Sequence, residues 1–258
     1  MNSIRRLARA FAITAIAGTV GGVVVLTGQA IAARTRRYAK PDMGLAMRST
    51  AGPGNAPPLR LVLLGDSTAL GVGVDRVGDT VGGQLAALLA DGPGGRRVEL
   101  SNVAVSGSLS SDLGTQVARA LVGARPDVAV ILVGVNDATR FGRSSDAPEH
   151  LAAAVRRLRG AGVAVVAGTC PDLSAARAFA APLRQLIGWR GHRLARAQAI
   201  AVRAADGVPV DLAGQTGAVF RADAGTYCHD GYHPSADGYR VWAHALLPAV
   251  SEAAAVAR

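Results

Sequence analysis

Aromatic side chains make up only 4% of the 258 residues, lysine occurs once, at Lys40, and there are two cysteines, Cys170 and Cys228. Two thiols cannot build a disulfide-dense scaffold or a four-thiolate zinc site; at most they form one bridge. Few aromatics leave little with which to stack nucleic-acid bases, and the net charge of +10 does not mark a folded binding face either. Nine basic residues stand against Asp42 alone between Met1 and Arg60, whereas Leu61–Arg258 carries 19 basic and 17 acidic residues. The excess charge belongs to the N-terminal part, and no nucleic-acid partner is expected. The 32 glycines and 12 prolines follow no collagen period. With 50% hydrophobic against 18% charged side chains, the chain has material for one sizeable core, which excludes disorder over its whole length.

What is present begins with an uncharged stretch. Ala10–Ala33 is rich in Ala, Val, Ile and Gly, with Arg5, Arg6 and Arg9 before it and Arg34, Arg36 and Arg37 after it. At about 1.5 Å per residue it is long enough for a hydrocarbon core of about 30 Å. A single membrane-spanning helix is the first reading; a cleaved signal peptide, with Ala30-Ile31-Ala32 at the cut, is the alternative. Arginines at both ends leave the orientation unspecified. Residues 1–40 therefore read as basic flank plus anchor, and 41–58, rich in Pro and Gly, as a linker. The folded domain is expected over 59–258, active without what precedes it and, on the anchor reading, on the outer side of the cell membrane.

From Leu59 onward, apolar runs alternate with amphipathic stretches, as in parallel strands covered by helices on both faces. The strand candidates are Leu59–Leu64, Val98–Val105, Val128–Val133, Val163–Ala167 and Val208–Leu212. Helices are expected around Val81–Leu89, Leu113–Leu121 and Asp146–Gly160, over Ala175–Ala205 with a break at Gly188–Gly191, and over Ala236–Ala255. The class is α/β: a three-layer α/β/α sandwich on a five-stranded parallel sheet. In such sheets ligands bind outside the carboxyl ends of the strands. Those ends are polar here: Gly65-Asp66-Ser67, Ser106-Gly107, Gly134-Val135-Asn136-Asp137 and Thr169-Cys170-Pro171-Asp172. The segment Cys228-His229-Asp230-Gly231-Tyr232-His233 adds a carboxylate and an imidazole just before the last helix.

Each of these pieces has an ordinary reading alone. Gly-Asp-Ser is a common turn and helix cap, and Asp230 and His233 could be a turn residue and a solvated histidine. A metal held by His229, Asp230 and His233 lacks further histidine ligands at the strand ends, so neither metal nor cofactor is expected. Their joint occurrence, in this order, resembles the SGNH hydrolases, also called GDSL lipases or esterases. The matching blocks are Gly65-Asp66-Ser67, Asn102 through Gly107, Gly134-x-Asn136-Asp137 and Asp230-x-x-His233, across residues 59–250. One departure is Thr68, where leucine often follows Gly-Asp-Ser.

The resemblance implies a flavodoxin-like sheet and a serine ester hydrolase. Ser67 would be the nucleophile, His233 the base that takes its proton and Asp230 the partner of the imidazolium. The N–H groups of Ser67 and Gly107 and the Asn136 amide would form the oxyanion hole, while Asp66 and Asp137 orient loops. Loops Ala138–Ala147, with Arg140, Phe141 and Arg143, and Ala213–Tyr227, with Phe220 and Arg221, would choose among acyl esters, lipids and acylated glycans. An acyltransferase or deacetylase acting on envelope lipid or glycan would use the same residues. From another class, a non-catalytic binding or scaffolding domain remains open, although no P-loop follows the first strand. Cys170 and Cys228 are expected at one edge of the sheet, close enough to bridge. The sequence leaves the oligomeric state open.

Overall fold

A computed structural model gives the fold and describes residues 21–33, 35–40, 48–53, 58–92, 96–140 and 146–256. Among these, six strands form one sheet: β1 (Arg48–Ala51), β2 (Leu59–Gly65), β3 (Val98–Asn102), β4 (Val128–Leu132), β5 (Ala164–Gly168) and β6 (Val208–Val210). Their order is β1-β3-β2-β4-β5-β6. The last five run parallel, while β1 lies antiparallel on β3, from Arg48 opposite Ser101 to Ala51 opposite Val98. The helices are α1 (residues 21–33), α2 (Ser67–Leu70), α3 (Val81–Ala90), α4 (Leu113–Ala120), α5 (Val135–Thr139), α6 (Ala147–Gly160), α7 (Leu183–Ala204), α8 (Leu212–Ala222) and α9 (Ala236–Val256).

Because successive strand residues point to opposite faces, Leu59, Leu61 and Leu63 of β2 enter one core and Val62 and Leu64 another. The first core is shared with α3 and α9, through Val81, Leu85, Trp242 and Leu246. The second is shared with α4, α6 and the end of α7, through Leu113, Val117, Leu151, Val155, Leu158 and Val202. This is why β2 and β4 read as unbroken apolar runs: Leu61–Leu64 and Val128–Ile131 are wholly inaccessible. Strand order reverses at β2, with β3 on one side and β4 on the other, which opens a crevice above their carboxyl ends.

Three expectations are corrected. The sheet has six strands rather than five and is mixed, because β1 lies inside the stretch read as a linker; Arg48-Ser49-Thr50-Ala51 pairs through its backbone and shows no apolar alternation. The expected break at Gly188–Gly191 is absent, and α7 runs continuously from Leu183 to Ala204. Those glycines are packing sites: a Cβ on Gly188 would lie 2.6 Å from Cβ of Ser174, and one on Gly191 3.3 Å from Leu173. Much of Ala213–Tyr227 is not loop but α8, capped by Asp211, whose carboxylate accepts from the Gly214 N–H. Phe220 is thereby buried in the first core, and Arg221 pairs with Asp172.

Among the described residues no helix is long and apolar enough to cross a membrane. Residues 10–20 of the expected span lie outside the described residues, as does most of the expected linker. Within α1, Leu26, Gln29, Ala30 and Ala33 are half-buried, at a spacing that places them on one face. Leu26 and Ala33 pack against a third cluster that contains Phe179, Leu183 and Ile187.

Candidate active site

The chain leaves β2 through Gly65, whose φ of +138° brings it so close to the neighbouring strand that a Cβ would sit 1.8 Å from the Leu132 carbonyl oxygen. Asp66 then caps α2, its Oδ1 accepting from the Thr68 N–H at 2.9 Å and the Thr68 hydroxyl at 2.8 Å. The residue that departs from the expected leucine is thus tied to the aspartate of the same block. Ser67 becomes the first residue of the helix, so its N–H has no intrahelical acceptor.

His233 meets it from the segment before α9. Its Nε2 lies 3.0 Å from Ser67 Oγ, and its Nδ1 lies 2.7 Å from Asp230 Oδ2. Asp230 Oδ1 accepts from the N–H groups of Tyr232 (2.7 Å) and His233 (2.9 Å) and from the Cys228 thiol (3.2 Å). Its Oδ2 also accepts from the Ala39 N–H at 2.9 Å. Burial opposes the charge, but these hydrogen bonds outweigh it, chiefly that with His233, and hold the Asp230 carboxyl well below the ordinary range. With Nδ1–H given to Asp230, Nε2 presents its lone pair to the Ser67 hydroxyl. All three residues are buried, leaving the serine and histidine edges open only to a cavity.

That cavity has a volume of about 320 Å³. Its polar side holds Ser67, Ser106, Gly107, Asn136, Arg140 and His233; its apolar side holds Ala30, Ala33, Phe179, Leu183, Ile187 and Tyr232. Gly107 has φ +82°, a conformation that favours glycine. Its N–H and that of Ser67 donate to no protein group among the described residues. Asn136 Nδ2 gives one hydrogen to the Ser108 carbonyl at 3.0 Å, which leaves its second hydrogen to the cavity. The structure therefore brings Ser67, Gly107, Asn136 and His233 around one space, with Asp230 bonded to His233 behind it.

Of the other expected residues that are described, Arg140 reaches the same cavity, and Asp137, His229, Cys170 and Cys228 do not line it. Asp137 accepts from the N–H and hydroxyl of Ser110 and fixes the loop after β3. Arg140 donates to the Gly107 carbonyl at 3.2 Å, while Phe141 and Arg143 lie outside the described residues. His229 is exposed, and no group of three metal-ligating side chains occurs among the described residues. Cys170 and Cys228, for which the sequence left a bridge open, are free thiols. Cys170 is sealed in the third cluster, and burial raises its thiol; Cys228 faces Asp230, and its thiol is pushed up to about 11, mainly by burial.

Two supports were not anticipated. Gln116, on the buried face of α4, accepts from Gly65 N–H at 2.7 Å and donates to the Gly65 carbonyl (2.9 Å) and Ser108 hydroxyl (3.1 Å). Gln198 of α7 similarly bridges the Cys170 N–H (2.7 Å) and the Val133 carbonyl (2.9 Å). Gln116 was detectable as a polar residue between Leu113 and Val117 on an apolar stripe. The contacts from Ala39 and from Tyr38, whose ring lies 4.9 Å from that of Tyr232, carry no comparable sequence signal.

The fold and these strand-end residues define a flavodoxin-like α/β protein with GDSL markers around a single cavity. Comparison assigns it further: residues 63–241 match the GDSL-like Lipase/Acylhydrolase family, and the chain belongs to that family. A relative, the GDSL-like esterase Rv1075c of Mycobacterium tuberculosis, is 43% identical over 197 residues, covering 76% of this chain and 62% of its own length. The chain thus matches less than two thirds of that relative. Among solved structures, an acetylxylan esterase from Geobacillus stearothermophilus has a TM-score of 0.58 at 18% identity, covering 74% of this chain and 93% of its own. The lipase/acylhydrolase of Enterococcus faecalis has a TM-score of 0.58 at 23% identity, covering 75% and 95% respectively. Both share the fold.

Proposed function

We propose that the protein is a serine esterase that cleaves carboxylic esters through an acyl-enzyme intermediate. The observation that carries this reading is the hydrogen-bonded chain from Ser67 through His233 to Asp230 at the wall of a cavity that also contains Gly107 and Asn136. His233 Nε2 removes the Ser67 proton as Oγ attacks the acyl carbonyl, and Asp230 stabilises the resulting imidazolium. The developing oxyanion takes the N–H groups of Ser67 and Gly107 and the second Asn136 amide hydrogen. The imidazolium returns its proton to the leaving alcohol. Water, deprotonated in turn by His233, then releases the acid and regenerates Ser67.

The apolar wall of Phe179, Leu183 and Ile187 suits an acyl chain longer than acetyl, and membrane attachment suits a lipid ester as substrate. Val23, Val24, Val25 and Ile31 expose about half or more of their surface on α1, on the side away from the domain. With the uncharged residues before them they serve as a membrane anchor, which keeps the domain beside its substrate.

Ser67→Ala should abolish hydrolysis of a short p-nitrophenyl ester and labelling by a fluorophosphonate probe, with the fold intact. Labelling that persists and maps to Ser106 or Ser108 would show that the nucleophile is wrongly assigned. A chain that neither labels nor turns over would be a binding domain.

A further inference from the structure

The last residues of the uncharged stretch and residues 35–39 after it make polar contacts that a simple tether would not need. Gln29 donates from Nε2 to the Ala181 carbonyl (2.6 Å) and accepts at Oε1 from the Leu183 N–H (3.1 Å). Arg36 reaches two carbonyls with its guanidinium, Ala178 at 3.3 Å and Asp230 at 3.1 Å. The half-buried Tyr38 ring lies 4.9 Å from the Tyr232 ring and 6.5 Å from the His233 ring. Ala39 N–H donates to Asp230 Oδ2, the same oxygen that holds His233 Nδ1. Upstream, Ala30 and Ala33 line the cavity beside Leu183 and Ile187.

We propose that residues 29–33 and 35–39 are a working part of the hydrolytic site, in which the Ala39 N–H positions Asp230 and Ala30 and Ala33 wall the acyl-chain pocket. This rests on the esterase reading above. Oδ2 must face His233 for the imidazole to keep its orientation, and a carboxylate can rotate about its terminal bond. Oδ1 is pinned by two backbone donors, and the Ala39 N–H pins Oδ2 from a segment 191 residues away. Small side chains at 30 and 33 leave the cavity its depth; a bulky one there would shorten the chain it accepts. Ala39 is a positioning residue, acting through Asp230 and His233 without touching substrate.

The test uses the full chain in detergent, with p-nitrophenyl acetate and octanoate as substrates. Ala39→Pro removes the N–H and should lower kcat at least tenfold for both esters, with KM within about twofold and little change in melting temperature. Ala39→Gly, which keeps the donor, should restore most of that loss. Ala33→Trp should lower the octanoate-to-acetate ratio of kcat/KM at least tenfold. If Ala39→Pro melts early, the Ala33→Trp ratio decides. Wild-type kcat in a folded Ala39→Pro, or an unchanged ratio in Ala33→Trp, overturns the proposal while leaving the esterase reading intact. A wild-type chain that hydrolyses neither ester overturns both.

Discussion

Asp66 holds one carboxylate oxygen in two hydrogen bonds from Thr68, while its other oxygen, Oδ2, is buried with no hydrogen-bond partner among the described residues. Burial pushes its carboxyl up to about 6, against the pull of those two hydrogen bonds. A carboxyl raised in the folded state binds its proton more tightly there than in the unfolded chain. Its contribution to stability is therefore full below pH 4 and lost as the pH rises through 6, a difference of about 3 kcal/mol. Asp66→Asn keeps a capping oxygen and cannot ionise, so relative to wild type it should gain stability between pH 4 and 7. Urea unfolding of both proteins across that range measures the difference; a constant offset would mean that Asp66 does not titrate there. Asn136 permits a kinetic test. Loss of one oxyanion donor should lower kcat by roughly 10²–10³ with little change in KM, and Asn136→Asp should be at least as harmful. Normal kcat per titrated site in Asn136→Ala would remove it from the site. Ser67, Asn136, Asp230 and His233 were legible because each stands in a short polar block after an apolar run or before a helix. Gln116 and Gln198 were less so, since their meaning comes from the backbone groups they bridge.

Among the elements, α7 shows where local sequence misleads. Glycine costs an isolated helix about 1 kcal/mol, so Gly188 and Gly191 read as a break. Ser174 and Leu173 approach those positions so closely that tertiary packing decides instead. Gly188→Ala should therefore destabilise the protein by about 1–3 kcal/mol despite alanine's better propensity. Gly114→Ala in α4, with nothing within 4 Å of the added Cβ, should stabilise it by up to about 1 kcal/mol. Opposite signs in the two melting shifts are expected; two stabilised variants would mean that α7 has room at Ser174. β1 was illegible for another reason: this four-residue edge strand turns only Ser49 and Ala51 inward, too few apolar residues to make an alternation, and its register with Val98–Ser101 is set by backbone pairing. β2 and β4 were readable because both their faces are buried.

At the scale of the whole molecule, a central β2 flanked by β3 and β4 gathers residues from four distant parts of the sequence above one crevice. The N-terminal residues close the same cavity, a contact invisible in a charge or hydropathy profile because it runs through backbone and small side chains. If the stretch ending in α1 anchors the protein, full-length protein should stay with membranes after a carbonate wash. Recovery of a mature chain starting at Ala33 would show the segment to be cleaved. The most direct test of the account is to quench the full-length enzyme with acid during turnover of a slowly deacylated ester and map its peptides by mass. The account predicts an increment equal to the acyl group on Ser67, absent in Ser67→Ala; turnover with no acyl adduct, or an adduct on Ser106 or Ser108, would contradict it.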